Sequence, residues 1–302
     1  MQIQYSLQKY TTLKSRYECP ACRQHHVFTM YVDNKENILS NDVGRCNRVG
    51  KCKYHKTPKD YFAQNPDFIS PTYEPKEVVY KVPFSINKVD AVKSFKQYQN
   101  NNFVQYLYNT FGITEADRLV SMYKIGTSVK WHGANIFWQI DTLGEYRTGK
   151  IMLYDVNTCK RVKIPYDHIY WAHRNLLNID THELKQCLFG LHLINKSNKP
   201  IAIVESEKTA VLMEHYCNKY IWLSAGNING LSVEKLDPLL NREVVLFPDL
   251  GEGYKVWNIK AKGFKNIIVN TYIQSIATSE YVEKQLDIAD FLSNELFDIK
   301  KI

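Results

Sequence analysis

Residues 201–210 read Ile-Ala-Ile-Val-Glu-Ser-Glu-Lys-Thr-Ala, and residues 244–253 read Val-Val-Leu-Phe-Pro-Asp-Leu-Gly-Glu-Gly. Each is a short apolar, β-branched run that ends in a carboxylate, Glu205 or Asp249, and passes into a helical stretch. Such runs alternating with helices imply a parallel sheet, whose strands open their C-terminal ends on one crevice. Glu205 and Asp249 are therefore expected to face one pocket. Around them the chain reads strand 201–205, helix 207–217, strand 220–224, a turn from Gly226 to Gly230, helix 232–240, strand 243–248, helix 253–263, strand 266–271 and a closing helix near 287–297. That order predicts four parallel strands with crossover helices. Either carboxylate alone is as well explained as a cap on the following helix. Two at one sheet edge favour a phosphate or metal site. Glu207 and Lys208 fall in the first turn of the helix, with Lys208 the one placed to reach a phosphate.

Upstream, residues 168–196 are mixed: Trp171, His173, Leu188, Phe189, Leu191 and Leu193 are expected to pack under the sheet, and His168, His173 and His192 read as core or boundary residues. Before them, period-two alternation over Ser128–Ile140, Tyr146–Asp155 and Arg161–Ile164 predicts an antiparallel meander with one exposed face. Lys130, Arg147, Lys150, Lys160, Arg161 and Lys163 lie along it beside Trp138, Tyr146 and Tyr154. This describes a face that binds a nucleic-acid strand, or equally a solvated sheet with edge-protecting lysines. Residues 86–122 switch to helical spacing, broken near Asn100–Asn102 and Gly112, and the Pro-rich stretch from Tyr61 to Val82 reads as a linker.

The N-terminal fifth differs in composition. Of a formal net charge of +8, residues 1–60 carry +6, and they hold four of the seven cysteines, Cys19, Cys22, Cys46 and Cys52. A concentrated positive field favours polyanions, and clustered cysteines in a chain expected to be cytosolic argue for metal rather than disulfides. Cys19-Pro20-Ala21-Cys22 is a metal-binding knuckle; Cys46 and Cys52 follow after a predicted strand, and Cys52-x-x-His55 offers a second knuckle. The expected unit is a zinc ribbon with structural Zn2+ on Cys19, Cys22, Cys46 and Cys52, with His55 as the substitute ligand. Arg45, Arg48, Lys51 and Lys53, interleaved with Tyr54, Tyr61 and Phe62, supply the cations and aromatic faces that single-strand binders use. Composition is that of an ordinary globular protein, 44% hydrophobic and 23% charged. No stretch approaches the ~18 apolar residues of a membrane span, so a cytoplasmic protein is expected. The expected architecture is multidomain α/β: zinc ribbon 1–62, linker 63–84, a helical and antiparallel β middle domain 85–197, and a parallel four-stranded domain 198–302.

The string IAIVESEKTAVLM resembles the first motif of Toprim domains, the catalytic module of bacterial-type primases, topoisomerases and some nucleases; VLFPDLGEGYKVW resembles the second, Asp-x-Asp motif, and LDIADFL the acidic segment that closes the domain in primases. A zinc ribbon, a mixed middle region and a Toprim domain, in that order, are the arrangement of bacterial and phage primases. GRCNRVGKCKYH, KQCLFGLHL and VESEKTA further resemble a family of primase-like proteins of mobile elements and phages. The resemblance implies that Glu205 is the general acid/base or metal-ligating glutamate and that Asp249 is one of the two aspartates that hold Mg2+ or Mn2+. The second aspartate is missing: Gly251 stands in its place if Asp249 is the first, and Phe247 if Asp249 is the second. Glu252, Asp287 or Asp290 would supply the missing oxygen. Three functions follow: a primase-like protein that binds single-stranded DNA or RNA and nucleotides and makes primers beside a replicative helicase; a non-catalytic replication or mobilisation accessory; or a Toprim nuclease. The nucleic-acid contacts would be Arg45, Arg48, Lys51, Lys53, Lys150, Arg161 and Lys208.

Overall fold

A computed structural model describes residues 5–48, 51–65, 81–174, 176–177 and 182–302. The chain forms two compact units, Met1–Tyr80 and Lys81–Ile302.

In the first, four short antiparallel strands pair in the order Ser6–Leu7, Phe28–Val32, Gly44–Cys46, His55–Lys56. The strands at Phe28 and Gly44 approach so closely that a Cβ on Gly44 would lie 2.3 Å from the Thr29 carbonyl oxygen. Among the described residues its buried apolar side chains are few: Cys19, Phe28, Met30 and Cys46 pack together, with Val32 and Val43 also buried. So small a core does not hold a fold without a staple. The helix Pro58–Gln64 starts with a reciprocal cap, the Thr57 hydroxyl accepting from the Asp60 amide and the Asp60 carboxylate accepting from the Thr57 amide. Of the expected linker 63–84, residues 66–80 lie outside the described residues; beyond them Val82–Pro83 pairs in parallel with His182–Glu183.

The second unit opens with helices Lys88–Val92, Asn102–Phe111 and Ile113–Tyr123, broken where Asn100–Asn102 and Gly112 predict. The meander follows, in sequence order Ile125–Thr127, Asn135–Ile140, Tyr146–Met152, Ile169–Trp171. Two expectations fail here. Arg161–Ile164 is not a strand: the Asp155 carboxylate accepts from the amides of Asn157 and Thr158, turning the chain so that Arg161 makes only a single bridge to Tyr154. The sheet also has no solvated face, since all six residues of Asn135–Ile140 are buried. Alternation separates two faces without saying whether each is covered. Here Phe137 and Met152 enter the large core with Phe103 and Phe189, while Ile136, Trp138 and Ile151 pack beneath Phe84, Ile86 and Ala91. Trp138, Tyr146 and Tyr154 are each under 5% exposed and offer no ring to a base.

The last sheet is entirely parallel, in the spatial order Ile221–Ser224, Ile201–Val204, Val244–Phe247, Ile267–Val269. From Ile201–Val204 the chain first crosses to one neighbour, then returns past it to Val244–Phe247 on the other side. The crevice between these two central strands is where a doubly wound sheet opens. Helices Glu207–Tyr216 and Glu252–Ala261 leave from their C-terminal ends. The closing helix expected at 287–297 is a 3-10 turn, Ile288–Phe291, after two short helices, Tyr272–Ile276 and Ser279–Glu283. Asp287 caps that turn tightly, its carboxylate accepting from the Ala289 and Asp290 amides, and Ile288 and Phe291 plug the core. Among the described residues no helix is long and apolar enough to cross a membrane.

Candidate functional site

In the ribbon, the four thiols converge. The sulfurs of Cys19, Cys22, Cys46 and Cys52 all lie within 4.8 Å of one another, with Cys19–Cys52 at 3.7 Å and Cys22–Cys46 at 4.0 Å. A tetrahedral ion with bonds near ~2.3 Å needs ligand separations of about this size, so the cluster fits Zn2+. Arg48 donates to the Cys22 sulfur at 3.7 Å, which suits a thiolate. His55 lies elsewhere: it sits in the strand opposite Arg45, stacks on Tyr31 and shares a 3.0 Å hydrogen bond with its hydroxyl. Arg45, Lys51 and Lys53 are exposed around the cluster. Tyr54 instead donates to the Asp42 carbonyl and Lys56 pairs with the Asp42 carboxylate, so both are occupied within the ribbon.

In the second unit, a cleft of about 750 Å3 opens at the C-terminal ends of the parallel strands. Glu205, Asp249, Asp287 and Asp290 line it together with Lys160, Arg161, Lys163, Lys208 and Lys284. Glu205 does not cap its own helix; its Oε1 accepts from the Asp249 amide at 3.3 Å and ties the two central strands together. A Cβ on Gly253 would lie 2.2 Å from that same oxygen, so the following helix is seated on the carboxylate through a glycine. Asp249 leaves Oδ1 buried with no hydrogen-bond partner. Burial, followed by the charges of Asp287, Glu205 and Asp290, pushes its carboxyl up to about 9, and burial likewise raises Glu205. Asp287 accepts from the Thr209 hydroxyl, which holds the turn against the helix that follows Glu205. Lys208 is pulled down by burial, but Asp287, Cys159 and Asp290 outweigh this and leave it above its usual value.

The structure thus gathers five of the residues anticipated there, Glu205, Asp249, Asp287, Asp290 and Lys208, with Arg161 on the rim. Glu252 is not among them; it is exposed, its carboxylate 3.9 Å from Lys255. Lys150 reaches the cleft wall in a different condition from that expected. Its ammonium is buried and donates to Glu207 Oε2 at 3.0 Å and to the Gly226 carbonyl at 2.8 Å, so it is committed within the protein rather than offered to a phosphate. Glu207, expected as a plain first-turn residue, is only 1% exposed and keeps Oε1 unpaired. No signal in the sequence links it to a lysine so far upstream. Phe247 lies in the core against Trp222, while Gly251 sits at φ +77° before the next helix, where a Cβ would lie 3.2 Å from the Val282 carbonyl oxygen. Neither position presents a carboxylate to the cleft. Among the described residues the cysteines are the only group of three or more potential ligands brought together so closely. Among the described residues the carboxylates of the cleft thus form no all-protein cage for an ion.

Residues 3–67 match the zinc β-ribbon finger family, and residues 101–250 match a domain of unknown function, DUF6371. No curated protein matches the sequence. The solved structures that the chain resembles include several primase cores. The primase fragment of the bacteriophage T7 primase-helicase protein is 14% identical, with 89% of this chain and 98% of that one covered, at a TM-score of 0.40. The DnaG catalytic core is 13% identical, with 62% and 64% covered, at 0.33. The E. coli primase catalytic core is 12% identical, with 69% and 77% covered, at 0.32. At these identities and scores, function has to be read from the side chains of the cleft.

Proposed function

We propose that the protein acts on single-stranded nucleic acid and nucleotides through a Toprim-like cleft, joining nucleotides into short primers in a reaction that requires Mg2+ or Mn2+. The observation that carries this reading is the pairing in one cleft of an acidic floor, Glu205 and Asp249 with Asp287 and Asp290, and a basic rim, Lys160, Arg161, Lys163, Lys208 and Lys284. A floor of carboxylates repels phosphate unless a divalent ion lies between them, and a rim of cations attracts it. The ion would be held by Glu205 and Asp249 and would neutralise charge on the reacting phosphates. Lys208, with no ion-pair partner within 4.0 Å among the described residues, would hold a phosphate oxygen, and Glu205 would exchange a proton or ligate the ion. In the ribbon, Zn2+ on the four cysteines would be a structural staple that presents Arg45, Arg48, Lys51 and Lys53 to the strand. The proposed division is ribbon 1–62, linker 63–84, middle domain 85–197 and Toprim-like domain 198–302, in a cytoplasmic protein of mobile-element type working beside a helicase.

The test is nucleotide incorporation on a single-stranded template with Mg2+ or Mn2+. Activity that is lost in Glu205→Gln supports the reading; cleavage of the template instead would make the protein a nuclease. A second reading, a nucleic-acid-binding accessory without catalysis, draws support from Gly251, whose backbone leaves the second aspartate position without a carboxylate. Strand binding in the wild type with neither incorporation nor cleavage would establish that reading instead.

A further inference from the structure

Where the rim of the cleft ends, the surface changes character. Lys163, which lines the cleft, is followed by Ile164, Pro165 and Tyr166, and Ile164 is 85% and Tyr166 55% exposed. The Tyr166 ring stacks on His168 at 4.5 Å, and the edge of His168 meets Trp131 at 5.1 Å. His168 is fixed beneath by a 3.1 Å hydrogen bond between Nδ1 and the Val162 carbonyl. Beside the stack, Lys130 lies 4.2 Å and Arg174 5.5 Å from the centre of the Tyr170 ring, which holds both cations at the surface. Over residues 160–174 the four cations Lys160, Arg161, Lys163 and Arg174 stand against the single carboxylate of Asp167. Val129, at 98% exposure, extends the apolar edge.

An exposed tyrosine stacked on a half-buried histidine that is itself braced by the half-buried Trp131, with large aliphatic neighbours, calls for a covering partner. A cationic border excludes a purely apolar one. Resting on the reading of the cleft as a nucleic-acid site, we infer that Tyr166, His168 and Trp131 form a stacking platform for unpaired bases of the strand as it leaves the cleft over Arg161 and Lys163. A base laid on the outer face of Tyr166 continues the pair already stacked on His168. The phosphates then pass the cations of the border. Stacking on aromatic faces tolerates any base, so the platform holds the strand without reading its sequence.

Two variants separate stacking from charge. Tyr166→Ala should weaken binding of a single-stranded oligonucleotide by about tenfold while leaving the slope of log affinity against log salt unchanged, and Tyr166→Phe should bind as the wild type. Lys163→Ala should flatten the slope by about one unit. Photocrosslinking with 5-iododeoxyuridine in the strand should label Tyr166 or Trp131. If the wild type binds and Tyr166→Ala binds equally, the platform is overturned while the cleft reading stands, and the patch is free for a protein partner. If the wild type binds no single strand at low salt, the cleft reading itself falls. If incorporation fails but the Tyr166 effect and the crosslink appear, the platform stands without the catalysis.

Discussion

Asp249 shows how a single residue's surroundings decide what its neighbours can become. Its unpaired Oδ1 and the glycine two positions on make an obvious repair tempting: Gly251→Asp would write the missing carboxylate back into the motif. The backbone resists it. At φ +77° a side chain is strained, and its Cβ would crowd the Val282 carbonyl. Gly251→Asp is expected to lower the melting temperature by several degrees, for a cost of about 1–2 kcal/mol, without raising Mn2+ affinity by titration calorimetry. Gly253→Ala should act differently, because its Cβ would displace the Glu205 carboxylate. Fluorescence melting should show a modest loss of stability while metal binding in the presence of an oligonucleotide disappears. Glu205 and Asp249 were legible because a carboxylate that ends an apolar strand is a local pattern. Glu207 was not, because its meaning lies in its bond to Lys150, 57 residues upstream.

Between elements, the Lys150–Glu207 pair joins the meander to the helix that follows Glu205. Removing one partner of a buried pair strands the other charge at about 3–5 kcal/mol, whereas replacing both is nearly neutral. Lys150→Met should therefore destabilise the second unit severely, and Lys150→Met with Glu207→Leu should recover most of the loss in denaturant melts. A second link responds to pH. His192 bonds through Nε2 to the Met122 carbonyl, leaves Nδ1 buried without a partner, and is driven down by burial from 6.5 to about 4. The unfolded chain takes up a proton below 6.5 that the folded one refuses until about 4. The contribution of His192 to stability should be flat above pH 6.5 and fall by about 3 kcal/mol as pH drops toward 4, and His192→Gln should remove that difference when its pH-dependent melts are compared with those of the wild type. That the last sheet has four parallel strands joined by crossover helices was readable from pattern; their order in space was not. The burial of the meander was not, since Phe84, Ile86 and Ala91, which cover its second face, carry no mark of what they cover. Where alternation predicts a strand at Arg161–Ile164, the chain forms a loop with the exposed Tyr166 at its end.

Over the whole molecule, stability comes in two parts of different origin. The first unit has a handful of apolar residues around four sulfurs; the second has a core running unbroken from Phe103 in the helices through Phe137 and Phe189 to Trp222, Phe247 and Phe291. Calorimetry of the metal-loaded protein should show that a strong chelator removes about one zinc per chain and abolishes only the transition of the first unit. A folded ribbon after complete zinc removal, or a lowered main transition, would contradict this. The same contrast bears on inheritance. A unit held by four sulfurs and a short sheet can be lost, gained or exchanged between genes as one piece, because the staple and the strands it ties all lie within its own stretch of chain. The parallel sheet cannot travel so freely. Tyr123 of the preceding helix is wholly buried and hydrogen-bonds to the carbonyls of Ala210 and Trp222, so any recombination breakpoint between residues 123 and 210 would strand a tyrosine on one side and two carbonyls on the other. Descendants of this chain should therefore vary at the front, while the cleft and the helices behind it are passed on together.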